Sequence, residues 1–165
     1  MEPLMEITMG DMLDETARKF PNNDAVVYTD RDYRRTYAEF AAETDLVARG
    51  LMAMGIKRGD KVAIWATNHQ QWLINMYATA KIGAIMVTVN TSYKRFELEY
   101  LLRQSDSGTL ILMDGYRDIN YIDIIYDINP DLKNTKPGES NFPHFPFLKN
   151  VIYFGPNPTP AGMFN

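Results

Sequence analysis

Cysteine is absent from the 165 residues. That absence removes disulfides, thiolate zinc sites and cysteine nucleophiles together, and fits a reducing compartment, with cytoplasm the expected location. Histidine is scarce, since His69 and His144 are far apart and are the only two. Neither a metal-ligand spacing nor an Asp-His-Ser order can be built on them, so no metal ligand and no catalytic residue is assigned. No apolar run approaches the roughly eighteen residues of a membrane span, and Met1 to Glu6 shows neither the basic region nor the apolar stretch of a secretory leader. The formal charge of -4 is mild and the basic residues are scattered, so no nucleic acid partner is expected. The sequon Asn90-Thr91-Ser92 is set aside for want of a secretory signal.

A phosphate-binding loop is missing too. Such a loop needs a strand, a glycine-rich turn carrying Lys and Ser or Thr, and a helix, so that backbone donors converge on the anion. The glycines of Gly50 to Lys57 fall at the end of a helix and the lysine comes one residue late. Ser105-Asp106-Ser107-Gly108-Thr109 leads from a helix into a strand, the opposite polarity, and reads as a plain turn.

What is present is a chain 45% apolar, enough for a core. Met9, Met12, Leu13, Thr16, Ala17 and Phe20 share a helical face, with Thr8 as cap and Pro21 as stop. A short hairpin is predicted near residues 24–36, followed by the capping box Thr36-Tyr37-Ala38-Glu39 and a helix through Phe40, Thr44, Val47, Leu51 and Met54 that closes at Gly55. From Gly59 the pattern alternates. Apolar runs at 62–66, 84–89 and 109–113 are separated by a helix carrying Trp72, Leu73, Met76, Tyr77 and Ala80 and another with Leu98, Leu101 and Leu102. A helix over 116–128 is predicted with Ile119, Ile122, Ile125 and Tyr126 inward, and Asp114, Asp118, Asp123 and Asp127 read as its solvated face. Near-continuous apolar strands are those of a parallel sheet covered on both sides. The predicted fold is therefore α/β, doubly wound, with a mostly parallel sheet and helices on both faces.

Residues 1–129 form one α/β subdomain in this reading. Residues 130–149, broken by Pro137-Gly138, Pro143 and Pro146, form an irregular, exposed connection, and 150–165 add a final strand and a stiff tail with no following element, as though cut. Trp65, Trp72 and Tyr77 are assigned to the core. Ligands of α/β sheets gather at strand ends, where Asn90 to Arg95 opens a helix with Ser92 as its expected cap. Lys94 and Arg95 there oppose the helix dipole unless an anion or a carboxylate compensates, which makes them weak candidates for an anion contact.

The runs Gly59-Asp60-Lys61-Val62-Ala63-Ile64, Asn68, Trp72, Ala80-Lys81-Ile82-Gly83-Ala84-Ile85, Val89-Asn90 and Glu97 to Leu102 resemble, in order and spacing, the amino-terminal region of acyl-CoA synthetases of the adenylate-forming superfamily. The resemblance extends from Arg35-Thr36-Tyr37 to Thr159-Pro160-Ala161-Gly162-Met163 and looks most like the fatty acyl branch. It implies a parent that takes a fatty acid, ATP, Mg2+ and CoA. The phosphate loop, adenine motif, hinge aspartate and late lysine of that family are not in this sequence, so no cofactor is expected for the chain alone, which should be an inactive fragment prone to self-association. The alternative is a free-standing α/β module binding a small anionic ligand at strand ends near Asn68, Asn90 and Asp114.

Overall fold

Thr8 Oγ1 accepts the Asp11 N–H at 3.1 Å and so starts helix α1, Met9–Lys19. The computed structural model describes residues 6–165, so most of the Met1 to Glu6 stretch considered from the sequence lies outside the described residues. Strands β1 (Asp24–Tyr28) and β2 (Tyr33–Thr36) then pair antiparallel as the hairpin expected there. At its end both arms of the capping box form: the Glu39 N–H donates to Thr36 Oγ1 at 3.3 Å and the Thr36 N–H to Glu39 Oε2 at 2.9 Å. Those bonds, the backbone one first, hold the Glu39 carboxyl below its ordinary range. They start α2, Tyr37–Ala53, which Gly55 closes at φ 85°.

These elements and α3, Gln70–Lys81, make one of two compact units, the chain up to Gly59 with Gln70–Ala84. Its core gathers Leu13, Tyr33, Phe40, Ala41 and Ile74. Two helical faces differ from expectation. On α1 the methionines Met9 and Met12 and the terminal Phe20 are exposed, while Gly10 and Leu13 are buried. The reason is close approach: a Cβ on Gly10 would stand 2.9 Å from Lys81 Cγ, so the helix seats on Gly10, Leu13 and Ala17. On α3 the buried residues are Ile74, Asn75, Ala78 and Thr79; of the residues expected there, Leu73 and Tyr77 pack part-buried against the core, and Trp72, read as core, is only half-buried. Asn75 Nδ2 bonds the Gln71 carbonyl and Thr79 Oγ1 the Asn75 carbonyl, each at 2.8 Å, and this back-bonding lets polar side chains face inward.

Lys81 ties the three helices together. Its side chain is only 10% exposed, and its ammonium lies 2.5 Å from Asp14 Oδ1 and 2.5 Å from Asp45 Oδ1, both on half-exposed side chains. Burial alone would lower the Lys81 pKa, but the two carboxylate bonds outweigh it and raise it. Lys81→Met is expected to cost about 2 kcal/mol, below the ~3–5 of a fully buried pair because both aspartates reach water. A group whose folded pKa is raised contributes fully below its unfolded value and loses the contribution as pH rises through the folded one, so the loss should be equal at about pH 6 and pH 9. Thermal denaturation at both values checks this; equal melting temperatures for variant and wild type would refute it.

The second unit is Asp60–His69 with Ile85–Asn165. In chain order it carries β3 (Lys61–Trp65), β4 (Ile85–Thr88), α4 (Arg95–Ser105), β5 (Thr109–Leu112), the small antiparallel pair β6 (Gly115–Tyr116) and β7 (Ile119–Asn120), α5 (Tyr121–Ile128), a 3₁₀ turn (Pro130–Asn134) and β8 (Asn150–Tyr153). The sheet is parallel throughout, in the order β4-β3-β5-β8. Ala63, Trp65, Leu110, Leu112, Val151 and Tyr153 face Leu98 and Leu102 of α4 and Tyr121, Ile125 and Ile128 of α5 in one core. Val62, Ile64 and Ile111, at the alternate positions, are equally buried, as the continuous apolar runs required. Among the described residues no helix is long and apolar enough to cross a membrane.

Several boundaries are corrected. Residues 115–120 form the β6–β7 hairpin, turned at Arg117 with φ 55°, so Asp114 and Asp118 lie off the helix. Asn120 Oδ1 then accepts the Ile122 and Asp123 N–H groups at 3.0 and 3.1 Å, and this cap sets the start of α5. Helix α4 begins three residues after Ser92. Asn90 Oδ1 takes the Ser92 N–H at 2.9 Å in an Asx turn, and Lys94 occupies the cap position with its N–H on Glu97 Oε2 at 3.1 Å.

The 130–149 segment is irregular but not simply exposed: Leu132, Phe142, Phe145 and Leu148 are buried in the core. Prolines break its regular structure without preventing the apolar residues between them from turning inward. After β8 the chain does find a further partner. Phe164 pairs in parallel with Ile152, its N–H donating to the Val151 carbonyl at 2.9 Å while the Tyr153 N–H reaches the Phe164 carbonyl at 2.8 Å.

Candidate functional site

The carboxyl ends of the parallel strands deliver Thr67 to His69, Asn90, Met113-Asp114 and Phe154-Gly155 to one edge of the sheet in the second unit. An aromatic stack supports that edge. The Trp65 and Tyr121 rings lie 3.7 Å apart at 14°; Trp65 Nε1 donates to the Asn90 carbonyl at 3.1 Å and the Tyr121 hydroxyl to the Thr91 carbonyl at 2.8 Å. Burial, helped by neighbouring Tyr116, pushes the Tyr121 phenol up to about 12. It therefore stays a donor, and the 90–93 turn is pinned through its carbonyls.

A second network closes the other side of the edge. Asp114 Oδ1 accepts from the Tyr153 hydroxyl at 2.7 Å and from Asn157 Nδ2 at 2.9 Å, and the Asn157 N–H reaches Tyr153 Oη at 3.3 Å. Burial first, then the Asp114 bond, raises the Tyr153 pKa. Gly155 is required beside it, since a Cβ there would meet Tyr153 Oη at 2.1 Å. Nearer β3, the Thr67 N–H and hydroxyl both point at Met113 Sδ, and the His69 ring lies 5.7 Å from that of Phe154. Beyond Asp114 the β6–β7 hairpin borders an open cleft of about 330 Å³.

The residues singled out from sequence are placed as follows. Arg95 Nε bonds Glu99 Oε1 at 2.9 Å and its terminal nitrogen bonds Asp127 Oδ2 at 2.6 Å; these bonds raise its pKa and supply the carboxylates that the dipole argument required. Lys94 is exposed at the start of the same helix. Trp65 is core, and Tyr77 meets Phe40 edge to face at 5.6 Å. Residues 105–109 are a helix-to-strand turn, with Asp106 at φ 50° and the Ser105 and Ser107 hydroxyls 2.6 Å apart. Sequence reasoning missed Tyr153, Asn157 and Thr67. An exposed Pro-rich loop and a lone threonine carry no periodic signal that could have found them.

Residues 13–146 match the family model of AMP-binding enzymes. The chain belongs to that family. YngI of Bacillus subtilis (strain 168), which bears the name acyl-CoA synthetase, is 50% identical over all 165 residues, which cover 30% of its length. The mitochondrial medium-chain acyl-CoA ligase ACSF2 of Mus musculus is 34% identical over 149 residues, 90% of this chain and 24% of that protein. Among solved structures, the inhibitor-bound N-terminal domain of FACL13 from Mycobacterium tuberculosis superposes with a TM-score of 0.74 at 27% identity, covering 89% of this chain and 33% of that one. The chain thus spans about a third or less of the AMP-binding relatives it matches, and its parallel sheet with helices is the fold of their amino-terminal domains.

These residues do not by themselves fit a magnesium nucleotide. One Asp114 oxygen is already doubly bonded, the Arg95 guanidinium is held by two carboxylates, and the described residues hold no group of three His, Asp or Glu that could take a metal ion.

Proposed function

We propose that the chain is the amino-terminal part of an ATP-dependent, AMP-forming fatty acid–CoA ligase. The observation that carries this is 50% identity to YngI over all 165 residues. In such a ligase a carboxylate oxygen attacks the α-phosphate of ATP, pyrophosphate leaves, and the CoA thiol then displaces AMP from the acyl carbon. ATP, Mg2+ and CoA belong to the parent enzyme, which is assigned to the cytoplasm. This piece supplies scaffold, because Asp114, Tyr153 and Asn157 at its sheet edge are bonded to one another and Arg95 to Glu99 and Asp127.

The isolated chain is therefore expected to show no ATP–pyrophosphate exchange with any fatty acid, while the parent exchanges and forms the thioester. Exchange by the 165-residue chain above a no-enzyme control would overturn the scaffold assignment. Absence of both reactions in the parent would overturn the ligase reading. Lys94 and Arg95 are proposed to contribute an anion contact in the complete enzyme, with Lys94 the larger share because Arg95 is bound by Glu99 and Asp127. Charge reversal at both should weaken nucleotide or CoA binding; unchanged affinity for both would exclude the contact.

A further inference from the structure

Helix α4 is apolar on two sides. Leu98 and Leu102, 0% and 2% exposed, face the sheet and form part of its core. On the opposite side Phe96 and Tyr100 stand 79% and 67% exposed, the two most exposed large apolar side chains among the described residues. Four residues apart, they lie one turn from each other on a single face and make a continuous patch. Neither ring has a hydrogen bond, a cation or another ring as partner among the described residues.

The groups beside this patch are exposed as well: Glu97, Arg103 and Gln104. Glu97 and Arg103 form no ion pair among the described residues. Glu97 Oε2 accepts the Lys94 N–H at 3.1 Å, and the Arg103 guanidinium stands 5.9 Å from the centre of the Phe145 ring. Helical geometry puts Phe96 and Arg103 about 40° and 60° to one side of the Tyr100 line, and Gln104 and Glu97 about 40° and 60° to the other. A two-fold axis that lays a second α4 antiparallel across Tyr100 keeps each flank on its own side and reverses its order along the helix. Phe96 then meets the partner's Arg103, Glu97 meets the partner's Gln104, and Tyr100 meets the partner's Tyr100. A guanidinium on a ring and an amide N–H on a carboxylate are both favourable, and the two helix dipoles oppose each other. Like charges at 97 and at 103 stay about 9 Å apart along the axis.

We propose that the Phe96–Tyr100 face of α4 is a self-complementary docking surface for a second copy of this chain. The inference gives the self-association expected from the sequence a definite surface, and it does not rest on the ligase reading. The four rings of such a pair offer roughly 600 Å² of exposed surface, at about 200 Å² per aromatic side chain. A stable complex buries about 1,200 Å² or more, so the dimer is weak, with a dissociation constant on the order of 100 µM.

Sedimentation equilibrium of the 165-residue chain, from about 10 µM to about 1 mM, should show monomer passing to dimer and no larger species. Phe96→Ser combined with Tyr100→Ser should weaken association at least about tenfold. The melting temperature of the dilute monomer should stay unchanged, because neither ring is part of the core. Arg103→Glu should weaken association about fivefold, and Arg103→Lys less. The chain has no cysteine, so single replacements read the register. Tyr100→Cys should oxidise to a disulfide-linked dimer, whereas Gln104→Cys, whose two copies lie about 12 Å apart along the helix, should not. A wild-type chain that stays monomeric at about 1 mM would overturn the proposal and leave this face to the remainder of a longer parent chain. Association undiminished in the double serine variant, or linkage through position 104 as readily as through 100, would also overturn it.

Discussion

Trp65→Ala lowers the stability of this chain by about 4 kcal/mol, the range expected when a fully buried tryptophan is truncated in a close-packed core. Trp65 is 0% exposed, stacks on Tyr121 and is also the donor to the Asn90 carbonyl. Its removal therefore opens a cavity and withdraws a buried hydrogen bond at once. For a chain of this size the melting temperature should fall by about 8–16 °C. Trp65→Phe retains a ring on Tyr121 and should recover more than half of the loss. Denaturant titrations of both variants decide the matter: a loss under about 1.5 kcal/mol for Trp65→Ala would show that the stack is not what holds the strand ends.

The second large effect is expected at a glycine. Gly162 lies at φ 78°, and a Cβ there would stand 2.0 Å from the Leu132 carbonyl oxygen and 2.9 Å from Leu132 Cδ1. Alanine must accept a left-handed backbone and also push the Pro160–Phe164 segment off the 3₁₀ turn, breaking the Phe164 bridge to β8. Gly55 supplies the internal control, since its φ is 85° but a Cβ there meets nothing within 4 Å. Gly55→Ala should cost about 1 kcal/mol, the conformational part alone. Gly162→Ala should cost about 3 kcal/mol or more, with the excess measuring the clash. Equal losses at the two positions would show that the close approach to Leu132 relaxes freely.

Local signals were legible where a side chain acts on its own backbone. The capping box at Thr36 and Glu39, the cap at Thr8 and the left-handed close at Gly55 all form as read, because each requires only residues within a few positions of one another. The buried runs at β3 and β5 were equally plain, since a strand covered on both sides cannot alternate with polar residues. Errors arose where two helical faces were both apolar enough to serve. On α3 the choice fell to Ile74, Asn75, Ala78 and Thr79, decided by back-bonded polar groups that composition scores as unfavourable. The helix predicted over 116–128 begins only at Tyr121, because Ile119 fits a helical period and a hairpin equally well and the Asn120 side chain sets the start.

By itself the sequence determined the α/β alternation, the parallel sheet, the caps at Thr8 and Thr36 and the family, all of which depend on residue order and short-range chemistry. Only the tertiary structure decided which donors and acceptors are engaged and by which partners. Asp114 is closed by Tyr153 and Asn157 from 39 and 43 residues away, Arg95 by Asp127 from 32 away, and Thr67 is left facing a sulfur 46 residues distant. Hydrogen-bond satisfaction is a property of atoms brought within about 3 Å, and no periodicity along a chain encodes which distant groups will meet.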